Sequence, residues 1–168
     1  DDTENARIVR RVAQKCYLPM NRLLLSLIER HAGRFRCAFS VSGTALEQMA
    51  TWAPEALESF QALARTGHVE FLAETSHHSL AFLRPDMSEF DAQVKAQADT
   101  VERLFGRRPT SFRNTELVVD NRVARRAEEL GNLAHERGLA EVLFTPSEPV
   151  PSARHGLGRL IAQHVRTE

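Results

Sequence analysis

The sequence predicts an α/β fold built on a mostly parallel sheet. Three observations carry that prediction. Apolar positions switch between a period near 3.6 and a period of two along the chain. Short β-prone runs at Phe35–Val41, Val69–Ala73 and Thr110–Asn114 are separated by helical segments long enough for crossovers. Gly33, Pro54, Gly67, Pro85 and Gly106 mark the limits of segments or the turns between them.

The elements follow in order. Ile8, Val9, Val12 and Ala13 place one apolar face on a helix over residues 3–16. A second helix over residues 18–31 carries Leu23, Leu24, Leu27 and Ile28 and stops at Gly33. Phe35, Cys37, Phe39 and Val41 alternate as a strand, and Ser42-Gly43 turns the chain into helices over 44–51 and 54–65. Pro54 suits a first helical turn and Gly67 a stop. The next strand, 69–73, runs into Glu74 and the pair His77-His78. Ser88 is expected to cap a long helix over 88–105 that Gly106 ends. A strand over 110–114 leads to Glu116, and Asp120 is expected to cap a helix running to Leu130. Beyond it, a strand over 139–144 and a helix over 158–165 are expected.

Composition bounds the function classes. The chain has 168 residues, enough for one domain with a real core. Basic and acidic side chains balance at 22 each, so no field steers nucleic acid or an anionic membrane to it. Arg107-Arg108 and Arg125-Arg126 read as solvated helix or turn residues. The two cysteines, Cys16 and Cys37, form neither a disulfide framework nor a zinc ribbon. The longest apolar stretch, Leu23–Ile28, is too short to span a bilayer. The first residues lack a signal-peptide core, so the expected location is cytoplasmic.

In parallel α/β folds the site lies at the carboxyl ends of the strands. That rule gathers Ser42, Glu74 with His77 and His78, and Glu116 at one edge. A pair of carboxylates at such an edge suits retaining glycoside hydrolysis, one as nucleophile and one as acid, if they stand about 5–5.5 Å apart. Asn114, Thr115 and Arg113 beside Glu116 would hold it ionised. Each carboxylate can equally be a solvated loop residue. His77-His78 invites a metal reading, but no third ligand has matching spacing. Neither a phosphate-binding glycine loop nor a GxSxG elbow occurs, and Ser40 has no sequence-local partner.

The motifs CYLPMNRLLLSLIERH, FRCAFSVSGTALEQM, HVEFLAETSHHSLAFL, LFGRRPTSFRNTEL and AEELG follow one another between Cys16 and Gly131. In that order they closely resemble the α-amylase-like branch of glycoside hydrolase family 57. The resemblance implies a partial (β/α)7-barrel-like parallel sheet with surrounding helices, incomplete at both ends. It implies retaining cleavage or transfer of an α-glucan or malto-oligosaccharide, without metal or other cofactor. The family's nucleophile falls on Glu116, and its substrate-contacting segment falls on Glu70, Glu74 and His78; Arg113 and Asn114, beside Glu116, are further substrate-binding candidates.

Departures qualify that implication. The family's opening His-Gln-Pro motif is absent from the sequence, and nothing after Asn121 resembles the strand that carries its general acid, an aspartate. Aromatic residues usual at the positions of Ser76, His77 and Val119 are missing. The chain divides into a partial catalytic barrel, 1–131, and a divergent tail, 132–168, which reads as a shifted frame, a fusion or a divergent end. A sheet of about four strands is expected to self-associate through its exposed edge. Two further readings stay open. One is a non-catalytic glucan-binding module; the other is a metal-dependent polysaccharide deacetylase, which would need an Asp/His ligand set.

Overall fold

A computed structural model describes residues 1–118, 120–133 and 141–143. The helix expected over 158–165 lies outside the described residues, as does Val119.

The chain opens with a helical stretch in three parts. Helix α1, Asp2–Val12, is capped by the Asp1 carboxylate, which accepts from the Thr3 N–H at 2.9 Å. A π-helical turn, Ala13–Tyr17, passes directly into α2, Leu18–Arg30. Gly33, at φ 75°, donates its N–H to the Ile28 carbonyl at 3.0 Å and closes the helix end.

Among the described residues four short strands follow, all parallel. Strand β1, Cys37–Phe39, pairs with β2, Val69–Phe71, in the register Cys37↔Val69 and Phe39↔Phe71. Strand β3, Ser111–Arg113, pairs with β4, Glu141–Leu143, in the register Ser111↔Glu141. A parallel bridge between Ala73 and Phe112 joins the two pairs, with the Ala73 N–H on the Ser111 carbonyl at 2.9 Å. The neighbour order is therefore β1-β2-β3-β4. Helices α3, Gly43–Trp52, and α4, Pro54–Arg65, connect β1 to β2. Helix α5, Ser88–Phe105, connects β2 to β3, and α6, Asn121–Leu133, connects β3 to β4. This is the expected β/α succession, and the strand foreseen over 139–144 is present as β4.

The helical boundaries agree with the capping chemistry, except at Ser88. Met87, in the left-handed region at φ 52°, takes the cap position of α5. The Ser88 hydroxyl instead donates to Asp86 Oδ2 at 3.2 Å, which leaves Ser88 as the first helical residue. Asp120 behaves as foreseen, its Oδ1 accepting from the Val123 N–H at 2.8 Å.

Two apolar clusters hold the layers. One packs α4 and α3 against the first strand pair: Leu46, Met49, Phe60, Leu63, Val69 and Phe71 are buried together, and the Phe71 ring stacks on Phe105. Tyr17 and Phe39 meet Phe60 edge-on at 5.6 and 5.1 Å between ring centres. The other packs Phe82, Phe90 and Val94 with Val123 and Ala127 around Phe112, which has no exposed surface. Arg126 of α6 is ion-paired to Asp91 of α5 across this second cluster. Together the clusters fix the strand ends, and with them the loops after β1, β2 and β3.

Candidate functional site

The loops after β1, β2 and β3 meet at the carboxyl ends of the strands. After β1 the chain runs through Ser40 to Ser42, whose hydroxyl caps α3 by accepting from the Ala45 N–H at 3.3 Å. Gly43 then passes so close to the next loop that a Cβ there would lie 2.9 Å from Gln97 Oε1 and 3.0 Å from the Ser76 carbonyl. The Thr44 N–H uses this proximity, donating to the Ser76 carbonyl at 3.2 Å. Gln97, wholly buried on α5, donates to the Val41 carbonyl at 2.6 Å.

After β2 the chain buries Glu74, Thr75 and Ser76 in succession. Thr75 Oγ1 lies 2.9 Å from Thr115 Oγ1, so the loop after β2 and the turn after β3 share a buried hydroxyl pair. Gln93 Oε1 accepts from the Ser79 hydroxyl at 2.9 Å, anchoring the far side of the loop to α5.

A continuous polar array crosses the site. Glu74 is only 1% exposed. Its Oε1 accepts from the Ser40 hydroxyl at 2.9 Å, and Arg113 Nη1 reaches the same hydroxyl at 3.3 Å. Glu74 Oε2 lies 3.3 Å from His78 Nδ1, and His78 Nε2 lies 3.2 Å from Glu116 Oε1. The Glu116 side chain is 70% exposed. His78, Glu116 and Leu117 all sit in the left-handed region, at φ 51°, 54° and 58°. None is a glycine, and each such residue costs on the order of 1–2 kcal/mol unless its surroundings enforce it. The array and the hydroxyl pair supply that enforcement.

Beside the array lies a cavity of about 400 Å³, with Glu74, His78 and Arg113 on one wall and Tyr17, Met20 and Phe39 among the apolar residues of the other. It is amphipathic, as sites for small polar molecules with carbon frames are.

The structure thus brings together Glu74, His78, Arg113 and Glu116. It sets two further candidates in different places. Glu70 lies on β2 facing the start of β3, where its carboxylate accepts from the Thr110 N–H (3.0 Å), Thr110 hydroxyl (2.7 Å), Ser111 N–H (3.0 Å) and Ser111 hydroxyl (3.2 Å). It lines a separate cavity of about 480 Å³ with Arg36, His68 and Arg107. Asn114 is fully buried, and its amide nitrogen donates to the Val118 carbonyl at 2.7 Å, closing the turn that presents Glu116. His77 diverges from His78 and pairs its Nδ1 with the Ser76 hydroxyl at 2.9 Å. Among the described residues no group of three or more His, Cys, Asp or Glu side chains is placed to hold a metal ion. Among them too, no helix is long and apolar enough to cross a membrane.

Sequence reading missed Ser40, the hinge of the array, and the pair Thr75–Thr115. Ser40 stands 34 positions from Glu74, and the threonines stand 40 apart, so no local pattern links them. The one available signal is register: Ser40 follows β1 as Leu72 follows β2, which puts it near the end of the loop that carries Glu74.

Known proteins are similar to the chain in sequence and in fold. Over 131 residues the chain is 37% identical to the "Putative alpha-amylase" of Methanocaldococcus jannaschii, covering 78% of this chain and 28% of that protein. Its fold is similar to that of the 4-alpha-glucanotransferase from Thermococcus litoralis, at a TM-score of 0.64 and 18% identity, over 74% of this chain and 19% of that one. The chain therefore spans less than a third of the length of either relative. The sequence profile of Glycosyl hydrolase family 57 matches residues 1–134, which takes in every residue of the array from Ser40 to Glu116. By that match over most of its length, the chain belongs to glycosyl hydrolase family 57.

Proposed function

We propose that this chain forms the nucleophile side of an α-glucan-active retaining glycoside hydrolase or glucanotransferase site, with Glu116 as the nucleophile. One observation carries the reading. An exposed carboxylate is held in a left-handed turn at the carboxyl end of a parallel sheet, fixed by an imidazole that a buried carboxylate orients in turn. Family membership and the names of both relatives support an α-glucan as the substrate class. The parallel β/α order supports reading the sheet as part of a (β/α)7 barrel.

In this reading a Glu116 oxygen attacks the anomeric carbon as the bond to the leaving group breaks, and the leaving group departs with the electron pair. The glycosyl ester then passes to water or to an acceptor hydroxyl. Arg113 and His78 line the approach from the cavity. Asn114 acts through the backbone of the turn, and Glu70 through the start of β3, rather than by touching sugar.

A natural glucan needs its leaving oxygen protonated, whereas fluoride leaves unaided. Turnover of an α-glucosyl fluoride by the chain, compared with Glu116→Gln, tests the nucleophile separately from any acid. Turnover that disappears in the variant is the expected result. Glucan binding with no turnover from a folded chain would refute the catalytic reading and leave a binding module.

A further inference from the structure

We infer that Glu74 is a positioning residue: it holds a proton on His78 Nδ1, and the ring in turn holds Glu116 through a second proton lying between Nε2 and Oε1. This inference rests on the proposed role of Glu116.

Glu74 Oε2 and Glu116 Oε1 stand 3.3 and 3.2 Å from the two ring nitrogens. A ring nitrogen and a carboxylate oxygen at such distances attract only with a hydrogen between them. A neutral imidazole has one N–H, so with both carboxylates ionised one of the two contacts would set lone pair against lone pair. Both contacts are therefore attractive only with a hydrogen on each ring nitrogen. The charge balance favours this state. Two carboxylates face one doubly protonated ring, and Arg113 adds its positive charge through the Ser40 hydroxyl. The other nearby histidine, His77, is turned away toward Ser76. A carboxylate only 1% exposed is costly unless it is paired and hydrogen-bonded, and here both Glu74 oxygens are engaged.

The consequence falls on Glu116. Its Oε1 is held by His78, while among the described residues Oε2 has no partner and is left for attack. Glu74 is 1% exposed with both oxygens engaged, so its effect on the reaction runs through His78. It corresponds to the carboxylate that orients a working histidine elsewhere in enzymology.

The test uses the full chain, uniformly labelled with ¹⁵N, as wild type, Glu74→Gln, Glu74→Asp and Glu116→Gln. The ring-nitrogen resonances of His78 at neutral pH report how many protons the ring holds. The expected wild-type result is two, falling to one in Glu74→Gln. With α-glucosyl fluoride, kcat should fall about 10–100-fold in Glu74→Gln with KM little changed, and Glu74→Asp should recover part of the loss. A singly protonated ring in the wild type overturns the inference, whatever the variants do. If Glu116→Gln abolishes turnover while Glu74→Gln leaves both ring and kcat unchanged, the inference fails and the nucleophile assignment stands. A doubly protonated, Glu74-dependent ring in a chain without turnover upholds the array and refutes the catalytic reading on which its role was built.

Discussion

The hydroxyl pair Thr75–Thr115 offers a direct test of how the two loops of the site hold each other. The oxygens lie 2.9 Å apart, with residue exposures of 0% and 2%. Thr75 Oγ1 also accepts from the Ser79 N–H at 3.0 Å and lies 3.4 Å from the Ser79 carbonyl. If Thr115 donates to Thr75, then Thr75 can pass its own proton to Ser79, and every hydroxyl is used. Valine replaces threonine with nearly the same shape but no hydrogen bond.

Thr115→Val removes one bond and leaves Thr75 with its Ser79 partners, a loss of about 1 kcal/mol. Thr75→Val strands both the Thr115 hydroxyl and the Ser79 N–H, and should cost roughly 2–3 kcal/mol. In the double variant no hydroxyl is left stranded, so adding Thr115→Val to Thr75→Val should cost almost nothing more. The expected coupling is about 1 kcal/mol. Denaturant unfolding of the four proteins, compared at a common m value, measures it. If the two losses simply add within about 0.3–0.5 kcal/mol, the pair does not couple the loops and the reasoning fails.

Three further outcomes are expected. Gly43→Ala forces a Cβ to within 3.0 Å of a backbone carbonyl and 2.9 Å of Gln97, whose amide is held by the Val41 carbonyl; unfolding should show a loss of about 1–3 kcal/mol, and no loss would mean the loops yield freely. Glu70→Gln should cost on the order of 1–3 kcal/mol through the start of β3 while KM for the fluoride donor stays unchanged; a raised KM at unchanged stability would return Glu70 to the substrate. The Lys95 ammonium, and then the Arg108 guanidinium, hold the Asp99 carboxyl below the usual carboxylate range. Its stabilisation is therefore present above the unfolded value of about 3.9 and is lost as pH falls through the lower folded value. The side chain is 47% exposed, so screening keeps the effect below about 1 kcal/mol; Asp99→Asn should flatten the acid limb of stability against pH by that amount, and an unchanged limb would refute the pairing.

Helices were legible in the sequence where capping chemistry marks them. Pro54 and Gly106 stand at the limits of α4 and α5 as expected, because a fixed φ and a left-handed stop are properties of single residues. Strands were over-read at their ends. Alternation over Phe35–Val41 shows which residues can face a core, but only Cys37–Phe39 find a strand partner, and the chain then turns so that Ser40 can meet Glu74. The site was half legible. Glu74, His78 and Glu116 converge because parallel strands end at one edge, and that follows from the order of elements. Nothing local distinguishes the carboxylate of Glu70, which β3 satisfies, from that of Glu116, which remains open. Left-handed residues at His78 and Glu116 are equally silent in the sequence, since neither is glycine and long-range contacts impose the conformation.

Those contacts also decide where the proposed nucleophile can be tested. Among the described residues, the side chains fixing Glu116 come from residues 40–118: Ser40, Glu74, Thr75 and His78 from the loops after β1 and β2, and Asn114 and Thr115 from the turn itself. The turn is tied to the neighbouring loop twice, by the buried threonines and by His78, at sequence separations of 40 and 38. The ties leave adjacent residues of the turn, Thr115 and Glu116, and reach Thr75 and His78 on the facing loop, so together they restrict rotation as well as translation. The position of Glu116 should therefore survive replacement of surface residues on α1 and α6, and fail when either tie is cut. Formation of the proposed nucleophile is thus separable from supply of the proton to a natural leaving group, and an activated donor that needs no such proton reads the first alone.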